Sequence, residues 1–213
     1  MITAPGQRPA VDVELRLPQL VDAAADLTRY ILADDSERLR HSEAVAVRAQ
    51  LLTAAVDDDQ APFLVAAAWL HDVGYATGLK QTRFHPVDGA RHLRAAGWPP
   101  ALCDLVAHHS GSRYVAKVKQ LDDEMGEFAF QEDLITDALT VADQTAGPHG
   151  RSMTVDERIR DMLDRHGPGS PNVRAHPRRG PYLLSAAHRV AHRLETSVIG
   201  PAEHAIFLRT RRS

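Results

Sequence analysis

Residues 62–74 read PFLVAAAWLHDVG, an almost wholly apolar segment that ends in a histidine, an aspartate and a glycine. The opening proline suits the first turn of a helix, where its missing backbone N–H leaves no hydrogen bond unmade. Because the side chains from Phe63 to Leu70 are apolar on nearly every side, the pattern predicts a buried central helix. This helix is expected to end at His71 and Asp72, with Gly74 allowing the backbone to turn.

Amphipathic segments on both sides of this helix predict further helices and no strand. Apolar residues at spacings of three and four predict helices over Leu17–Leu32 and from Ser36 to about Val56, the second with Val47 and Leu51 facing inward. The segment Gly167–Pro181, rich in Pro, Gly and Arg, is predicted to be a loop. We therefore predict an all-α bundle of about seven to nine helices. The other predicted helices cover Pro86–Gly97, Pro99–His109, Tyr114–Met125, Glu132–Gln144 and Thr154–His166.

Length and composition favour one domain with appendages. A chain of 213 residues with 44% hydrophobic residues can bury one substantial core. We predict an N-terminal extension over residues 1–16 and a helical domain over residues 17–166. A C-terminal loop and helix, residues 167–213, are predicted to pack on the same domain.

Charge and cysteine content narrow the classes of function. The net charge of −3 does not fit the basic surface of nucleic-acid-binding proteins, so we expect no nucleic-acid partner. No stretch approaches the roughly 20 apolar residues of a membrane span, and Met1–Val13 lacks the apolar core of a secretory signal. The single Cys103 excludes an internal disulfide and fits a reducing compartment. We predict a cytoplasmic protein that acts on a small molecule.

Histidine is unusually frequent, with 12 residues in the chain. The dipeptide His71-Asp72 is a weak signal alone, because about one such pair is expected by chance. Its position strengthens it, since adjacent helical side chains point about 100° apart and share a metal only where the helix ends. Helical bundles build metal sites from ligands on facing helices. Other candidate ligands at helix ends or on predicted buried faces are His41, His85, His108, His109 and Asp143.

Five short motifs carry these residues in a fixed order. They read RHS (40–42), WLHDVG (69–74), HPVDGA (85–90), VAHHSG (106–111) and TVAD (140–143). Together they resemble the HD-domain superfamily of metal-dependent phosphohydrolases, which implies an HD-domain helical bundle. The resemblance covers about half the chain, Leu39–Gly147, and does not extend to the C-terminal third. The motif sequences most resemble those of small bacterial HD proteins that are similar to dinucleoside-tetraphosphate hydrolases.

The resemblance implies two divalent metal ions that share the carboxylate of Asp72. The other ligands implied for the first ion are His41, His71 and Asp143. Nitrogen and oxygen ligands without a thiolate allow iron, manganese, cobalt, nickel or zinc, and the number of histidines disfavours magnesium.

The ligands implied for the second ion are His85 and one of two adjacent histidines, His108 and His109. We favour His109, because the Ser-Gly helix stop follows it. The extra histidines beyond the four ligands of the simplest members indicate the two-metal branch of the superfamily.

The predicted chemistry is hydrolysis of a phosphoester or phosphoanhydride bond in a nucleotide, with Asp72 at the centre of the site. A hydroxide that bridges two divalent cations is a strong nucleophile at neutral pH, because coordination lowers the pKa of water by many units. Several dinuclear relatives carry a phosphate-binding lysine after the HD motif, where this chain has Tyr75. The predicted phosphate contacts are therefore Lys80, Arg83 and Arg113.

Two other functions fit the same residues. Relatives with a similar ligand arrangement hold mixed-valent iron and cleave carbon bonds with dioxygen, so a di-iron HD-type oxygenase is one alternative. A non-catalytic nucleotide-binding sensor is the other. Neither the base of the substrate nor the oligomeric state can be predicted. His92 is predicted either to orient a ligand histidine or to lie on the surface. The other histidines are predicted to be surface residues: His149, His166, His176, His188, His192 and His204.

Overall fold

The computed structural model describes residues 17–147 and 151–197, which form a bundle of α-helices with no strand in these two ranges. An isolated antiparallel bridge joins Ala146 and Ser152. Nine of the helices in these ranges have eight residues or more, and the all-α prediction is confirmed. In chain order the helices are α1 (Leu17–Ile31), α2 (Ser36–Leu51), α3 (Ala61–Leu70), α4 (His85–Ala95), α5 (Pro100–His108), α6 (Ser112–Lys119), α7 (Asp122–Met125), α8 (Leu134–Thr145), α9 (Val155–Arg165) and α10 (Pro171–Thr196).

Helix α3 is the central helix of the bundle, as its apolar sequence predicts. Leu64, Ala66–Ala68 and Leu70 are completely buried. Helices α1, α2, α5 and α8 pack against α3. The three consecutive alanines allow close packing, because the distance between helix axes depends on the side chains at the contact. The end of α3 therefore delivers His71 to the interior of the molecule.

Gly74 determines how closely the chain after α3 approaches α4. The backbone forms a 3₁₀ turn over Val73–Tyr75 that packs against α4. A Cβ atom on Gly74 would lie 2.0 Å from the carbonyl oxygen of His85 and 2.6 Å from the backbone nitrogen of Gly89. Only a residue without a side chain permits this approach. As a result, the start of α4 lies beside the HD dipeptide.

A second sharp turn follows α5. The helix ends at His108, and Ser110 (φ 52°) and Gly111 (φ 63°) both have left-handed backbone conformations. Glycine adopts this conformation freely, whereas for serine it costs on the order of 1–2 kcal/mol. The predicted Ser-Gly helix stop is confirmed.

The second helix is shorter than its sequence pattern predicts. It ends at Leu51 rather than near Val56 and is followed by a 3₁₀ turn over Thr53–Ala55. Val47 and Leu51, predicted to face inward, are 63% and 55% exposed. The inward prediction for these two was wrong because the packed stripe of α2 runs along a different face. Its buried residues are Ser42, Val45, Ala46 and Ala49.

The predicted C-terminal loop is mostly helical, because α10 begins at Pro171. The side chain of Ser170 accepts a hydrogen bond from the backbone N–H of Val173, and the proline occupies the first turn. Pro177 and Pro181 lie inside the helix, although each removes a backbone hydrogen bond. Packing of α10 against α6, α8 and α9 compensates for these losses.

An ion pair attaches α10 to α8. Arg189 donates from Nε and Nη2 to the two carboxylate oxygens of Asp137 at 2.6 and 2.8 Å. The Asp137 side chain is only 2% exposed, and a bidentate salt bridge of this kind is among the stronger polar contacts in proteins. The pair fixes α10 on the bundle.

None of the helices in the described ranges combines the length and apolar character that a bilayer crossing requires. The predicted N-terminal extension (residues 1–16), residues 148–150 and residues 198–213 lie outside those ranges. His149 and His204 are therefore not placed.

Candidate metal centre

Six of the predicted ligands converge inside the bundle as two neighbouring groups. Within each group, one potential ligand atom from each residue lies within 4.8 Å of the others. The first group comes from α2, the end of α3 and α8. The second comes from the turn after α3, the start of α4 and the end of α5. The groups are His41, His71 and Asp143, and Asp72, His85 and His109.

Asp72 lies between the two groups and faces both. Its Oδ2 atom is 3.5 Å from Nε2 of His71 and 3.9 Å from Nε2 of His41. Its Oδ1 atom is 3.3 Å from Nε2 of His85. A carboxylate that bridges two metal ions presents one oxygen to each, as in the dinuclear carboxylate sites of helical bundles. The orientation of Asp72 fits that role.

Backbone carbonyls orient two of the imidazoles. His71 donates its Nδ1–H to the carbonyl of Ala68 at 2.7 Å, and His109 donates its Nδ1–H to the carbonyl of Val106 at 2.6 Å. Each bond leaves Nε2 as the lone-pair nitrogen, the arrangement typical of metal-ligating histidines. Nε2 of His71 is buried and has no hydrogen-bond partner. A buried, unpartnered acceptor beside carboxylates fits a bound cation.

The local electrostatics favour ionised carboxylates. Burial raises the pKa of Asp72, but the neighbouring histidines and Arg38 lower it more, so that it lies well below its ordinary value. Burial also raises the pKa of Asp143, and the hydrogen bond from His41 and the nearby imidazoles again outweigh this effect. Carboxylates bind metals in their ionised form.

The imidazoles of the second group are held neutral. Burial lowers the pKa of His109 to about 4 and that of His85 well below its ordinary value. His41 in the first group differs: burial lowers its pKa, but the hydrogen bond to Asp143 and the negative charges of Asp143 and Asp72 together outweigh burial and raise it. Neutral imidazoles provide the lone pairs that metals need, so the second group is prepared to bind at neutral pH.

A side-chain network holds Asp143 in place. Nε2 of His41 lies 3.0 Å from Oδ1, and the hydroxyl of Ser110 donates to Oδ2. The side-chain amide of Gln144 donates to the same Oδ2 and to the Ser110 hydroxyl, both at 3.0 Å. The left-handed backbone of Ser110 thus brings a hydrogen-bond donor to this carboxylate.

Arg38 and Tyr75 form a stack beside the second group. Nη1 of Arg38 donates to Oδ2 of Asp72 at 2.9 Å, and its guanidinium lies 4.0 Å from the ring centre of Tyr75. The Tyr75 ring stacks on His85 at 3.9 Å. Arg38 was not among the predicted site residues, although its position three residues before His41 puts both on one helix face. Its charge stands near Tyr75, where several dinuclear relatives carry a lysine.

Of the two adjacent histidines, His109 lies in the second ligand group, whereas His108 lies outside both groups. Nε2 of His108 donates to the carbonyl of Phe128 at 3.0 Å, and its ring packs against Phe130. Successive side chains near a helix end point in different directions, which separates the two imidazoles. This contact holds the segment Gly126–Phe130 against α5.

The three predicted phosphate contacts do not line the cleft above the ligands. Lys80 and Arg83 are exposed. The guanidinium of Arg113 lies 3.7 Å from the ring centre of Phe130 and 4.4 Å from that of Tyr182. Stacking on these rings holds Arg113 away from the ligand groups.

A cleft of about 500 Å³ opens over both ligand groups. Helices α9 and α10 also contribute to its lining, which includes His166, predicted as a surface residue. By contrast, His188 and His192 on α10 are exposed, as predicted, and His176 is partly buried. Only the packing of the C-terminal helices reveals this part of the lining, since no motif marks it. Four arginines line the cleft: Arg38, Arg158, Arg165 and Arg179.

The comparisons with known proteins support the family suggested by the motifs. A family model described as HD domain matches residues 38–167, more than half of the chain. No curated protein and no solved structure matches the chain. The matched range extends beyond the last sequence motif and includes α9. Because it contains all six converging ligands, this chain belongs to the HD domain family.

Proposed function

We propose that this protein is a metal-dependent phosphohydrolase whose substrate is a nucleotide. HD domains are in general metal-dependent phosphohydrolases, and the two groups of histidines and aspartates can hold metal. The observation that carries the proposal is the position of Asp72. Its two oxygens face separate groups of ligands at the base of a cleft that is lined by arginines.

The residues present fit two divalent ions, one in each group, with Asp72 shared between them. The unpartnered Nε2 atom of His71 supports an ion in the first group. The neutral imidazoles of His85 and His109 support an ion in the second. With nitrogen and oxygen ligands only, iron, manganese, cobalt, nickel and zinc are favoured over magnesium.

The side chains around the ions have separate roles in this proposal. When bound, divalent ions supply Lewis acidity and lower the pKa of water into the neutral range. Arg38 and Arg179 donate to phosphoryl oxygens, and their charge stabilises the negative charge that develops during hydrolysis. Ser110 and Gln144 hold Asp143 in one orientation, which keeps the first group of ligands aligned.

The size and lining of the cleft support a nucleotide as the substrate. Its volume of about 500 Å³ lies within the usual range for small-molecule sites. Tyr75, Phe84 and Met162 provide apolar surface for a base, beside the cationic arginines. The arginines also favour an anionic substrate, and this supports the phosphohydrolase over the di-iron oxygenase alternative.

The remaining parts of the proposal concern domain organisation and location. We propose one domain over residues 17–166, with α10 packed on it as the C-terminal appendage. The contacts of α10 with α6, α8 and α9 support this arrangement. We also propose a cytoplasmic location, consistent with the single Cys103.

The test is hydrolysis by the purified protein after reconstitution with manganese, iron, cobalt, nickel or zinc. A panel of nucleotides and aryl phosphates should yield phosphate or a shortened nucleotide with at least one metal. Asp72→Asn should abolish this activity, whereas His192→Ala, an exposed position on α10, should retain it. An untouched panel would contradict the proposal. Tight nucleotide binding without turnover would support a sensor, and dioxygen consumption that requires iron would support an oxygenase.

A further inference from the structure

The part of the cleft lining that α9 and α10 contribute is basic. Residues after position 150 contribute three arginines to the cleft lining and no carboxylate. The carboxylates that line the cleft are Glu37, Asp72 and Asp143, all on the side of the ligand groups. We call the three arginines the arginine face: Arg158, Arg165 and Arg179.

The charges of the arginine face are only partly compensated. Asp161 pairs with both Arg158, at 3.3 Å, and Arg165, at 2.6 Å. Among the residues that the structure describes, Arg179 has no carboxylate at ion-pair distance. Its Nε instead donates to the carbonyl of Ser110 at 2.7 Å. Asp161 therefore pairs with two of the three guanidiniums, and the third has no carboxylate partner among the described residues.

Two of these guanidiniums are close enough to interact unfavourably. Burial lowers the pKa of Arg179, Asp143 opposes this effect, and the positive charge of Arg158 adds to it. Like charges held together in a cleft raise the local concentration of an oppositely charged ligand and favour its binding. Because guanidinium matches the geometry of phosphate oxygens, the expected ligand group is a phosphate.

We propose that the arginine face binds the non-reacting phosphate of the substrate, so that the enzyme prefers phosphoanhydrides with two or more linked phosphates to phosphate monoesters. This inference rests on the proposed function, because the reacting phosphate must lie over the ligand groups. The cleft is continuous from those ligands to Arg158, Arg165 and Arg179. One molecule with linked phosphates can therefore reach both sides.

The reaction divides the substrate between the two sides of the cleft. The oxygen of water forms a bond to the reacting phosphorus, and the bridging P–O bond breaks with its electron pair on the departing phosphate. The two protons of water are shared between the two phosphate products. Guanidiniums beside the departing phosphate stabilise its growing charge.

The test compares the double variant Arg158→Gln/Arg165→Gln with Arg160→Gln, an exposed arginine of the same helix that does not line the cleft. Isothermal titration of the chelator-treated full chain with inorganic triphosphate measures binding independently of turnover, because hydrolysis requires the metal. We expect the double variant to bind triphosphate at least about tenfold more weakly, since a hydrogen bond to a charged group contributes roughly that factor or more. The Arg160→Gln control should bind as the wild type does.

Turnover provides the second readout. The ratio of kcat/KM for adenosine triphosphate to that for adenosine monophosphate should fall about tenfold in the double variant and stay constant in the control. A general structural defect would lower both values together and leave the ratio unchanged. If the double variant fails to fold, Arg165→Gln replaces it, because this side chain is 49% exposed.

The two proposals fail in different ways. The proposal for the arginine face would be overturned if the double variant turned over adenosine triphosphate with an unchanged kcat/KM ratio and bound triphosphate within twofold of wild type. The phosphohydrolase proposal would then still stand. No turnover of either nucleotide, with triphosphate binding that depends on Arg158 and Arg165, would overturn the phosphohydrolase and retain an anion site.

Discussion

Replacing Gly74 by alanine perturbs the contact that brings the second ligand group together. The new Cβ would lie 2.0 Å from the carbonyl oxygen of His85, whereas ordinary contacts begin at 3.4 Å, so the start of α4 must move by the difference, about 1.4 Å. Overpacking of this kind costs about 1–3 kcal/mol of unfolding free energy. Metal–ligand distances tolerate deviations of only about 0.2 Å. His85 should therefore be lost as a ligand.

We expect Gly74→Ala to bind one equivalent of metal instead of two, as measured by elemental analysis of protein dialysed without chelators. Its Tm should fall by about 2–4 °C for each kcal/mol by which the free energy of unfolding decreases. Gly78→Ala is the matched control, because nothing lies within 4 Å of a Cβ atom at Gly78. If Gly74→Ala retains two equivalents and the wild-type Tm, the reasoning about this contact is refuted.

Three further predictions test other parts of the structure. Arg189→Ala leaves the buried carboxylate of Asp137 without its two-point partner, so urea melts should show a loss of about 1–3 kcal/mol, and an unchanged midpoint would contradict this pairing. The pKa of His109 is lowered to about 4 from 6.5, so the unfolded chain takes up this proton first. In chelator-treated protein, the contribution of this imidazole to stability should therefore be complete above pH 6.5 and be lost as the pH falls towards 4. His109→Gln should flatten that part of the profile, and an identical profile would argue against a neutral buried imidazole. His109→Ala should lose a metal equivalent while His108→Ala keeps both, and equal losses would show that their different surroundings do not matter.

The fold could be predicted where burial determines the residue pattern. The apolar surface of α3 and the Ser110-Gly111 stop are local signals, because one reports burial and the other a left-handed backbone. The start of α10 at Pro171 was not predicted, since proline and glycine in Gly167–Pro181 favour a loop. There, packing against three other helices outweighs local preference.

The candidate ligands could be predicted because their order along the chain is itself the signal. Which of His108 and His109 faces the other ligands depends on side-chain direction at a helix end, and this direction changes from one residue to the next. The cationic residues could not be predicted from proximity in sequence. Arg113 is near the ligand motifs but stacks on aromatic rings, whereas Arg179 reaches the cleft only through the packing of α10.

The central claim is that the carboxylate of Asp72 is shared by two metal ions. Elemental analysis of protein purified without chelators tests it most directly, on the wild type, Asp72→Ala and His192→Ala. The wild type and His192→Ala should each contain two equivalents of divalent metal, and Asp72→Ala should contain almost none, because both ions lose the same ligand. An Asp72→Ala protein that is folded and still carries its full two equivalents would contradict the claim.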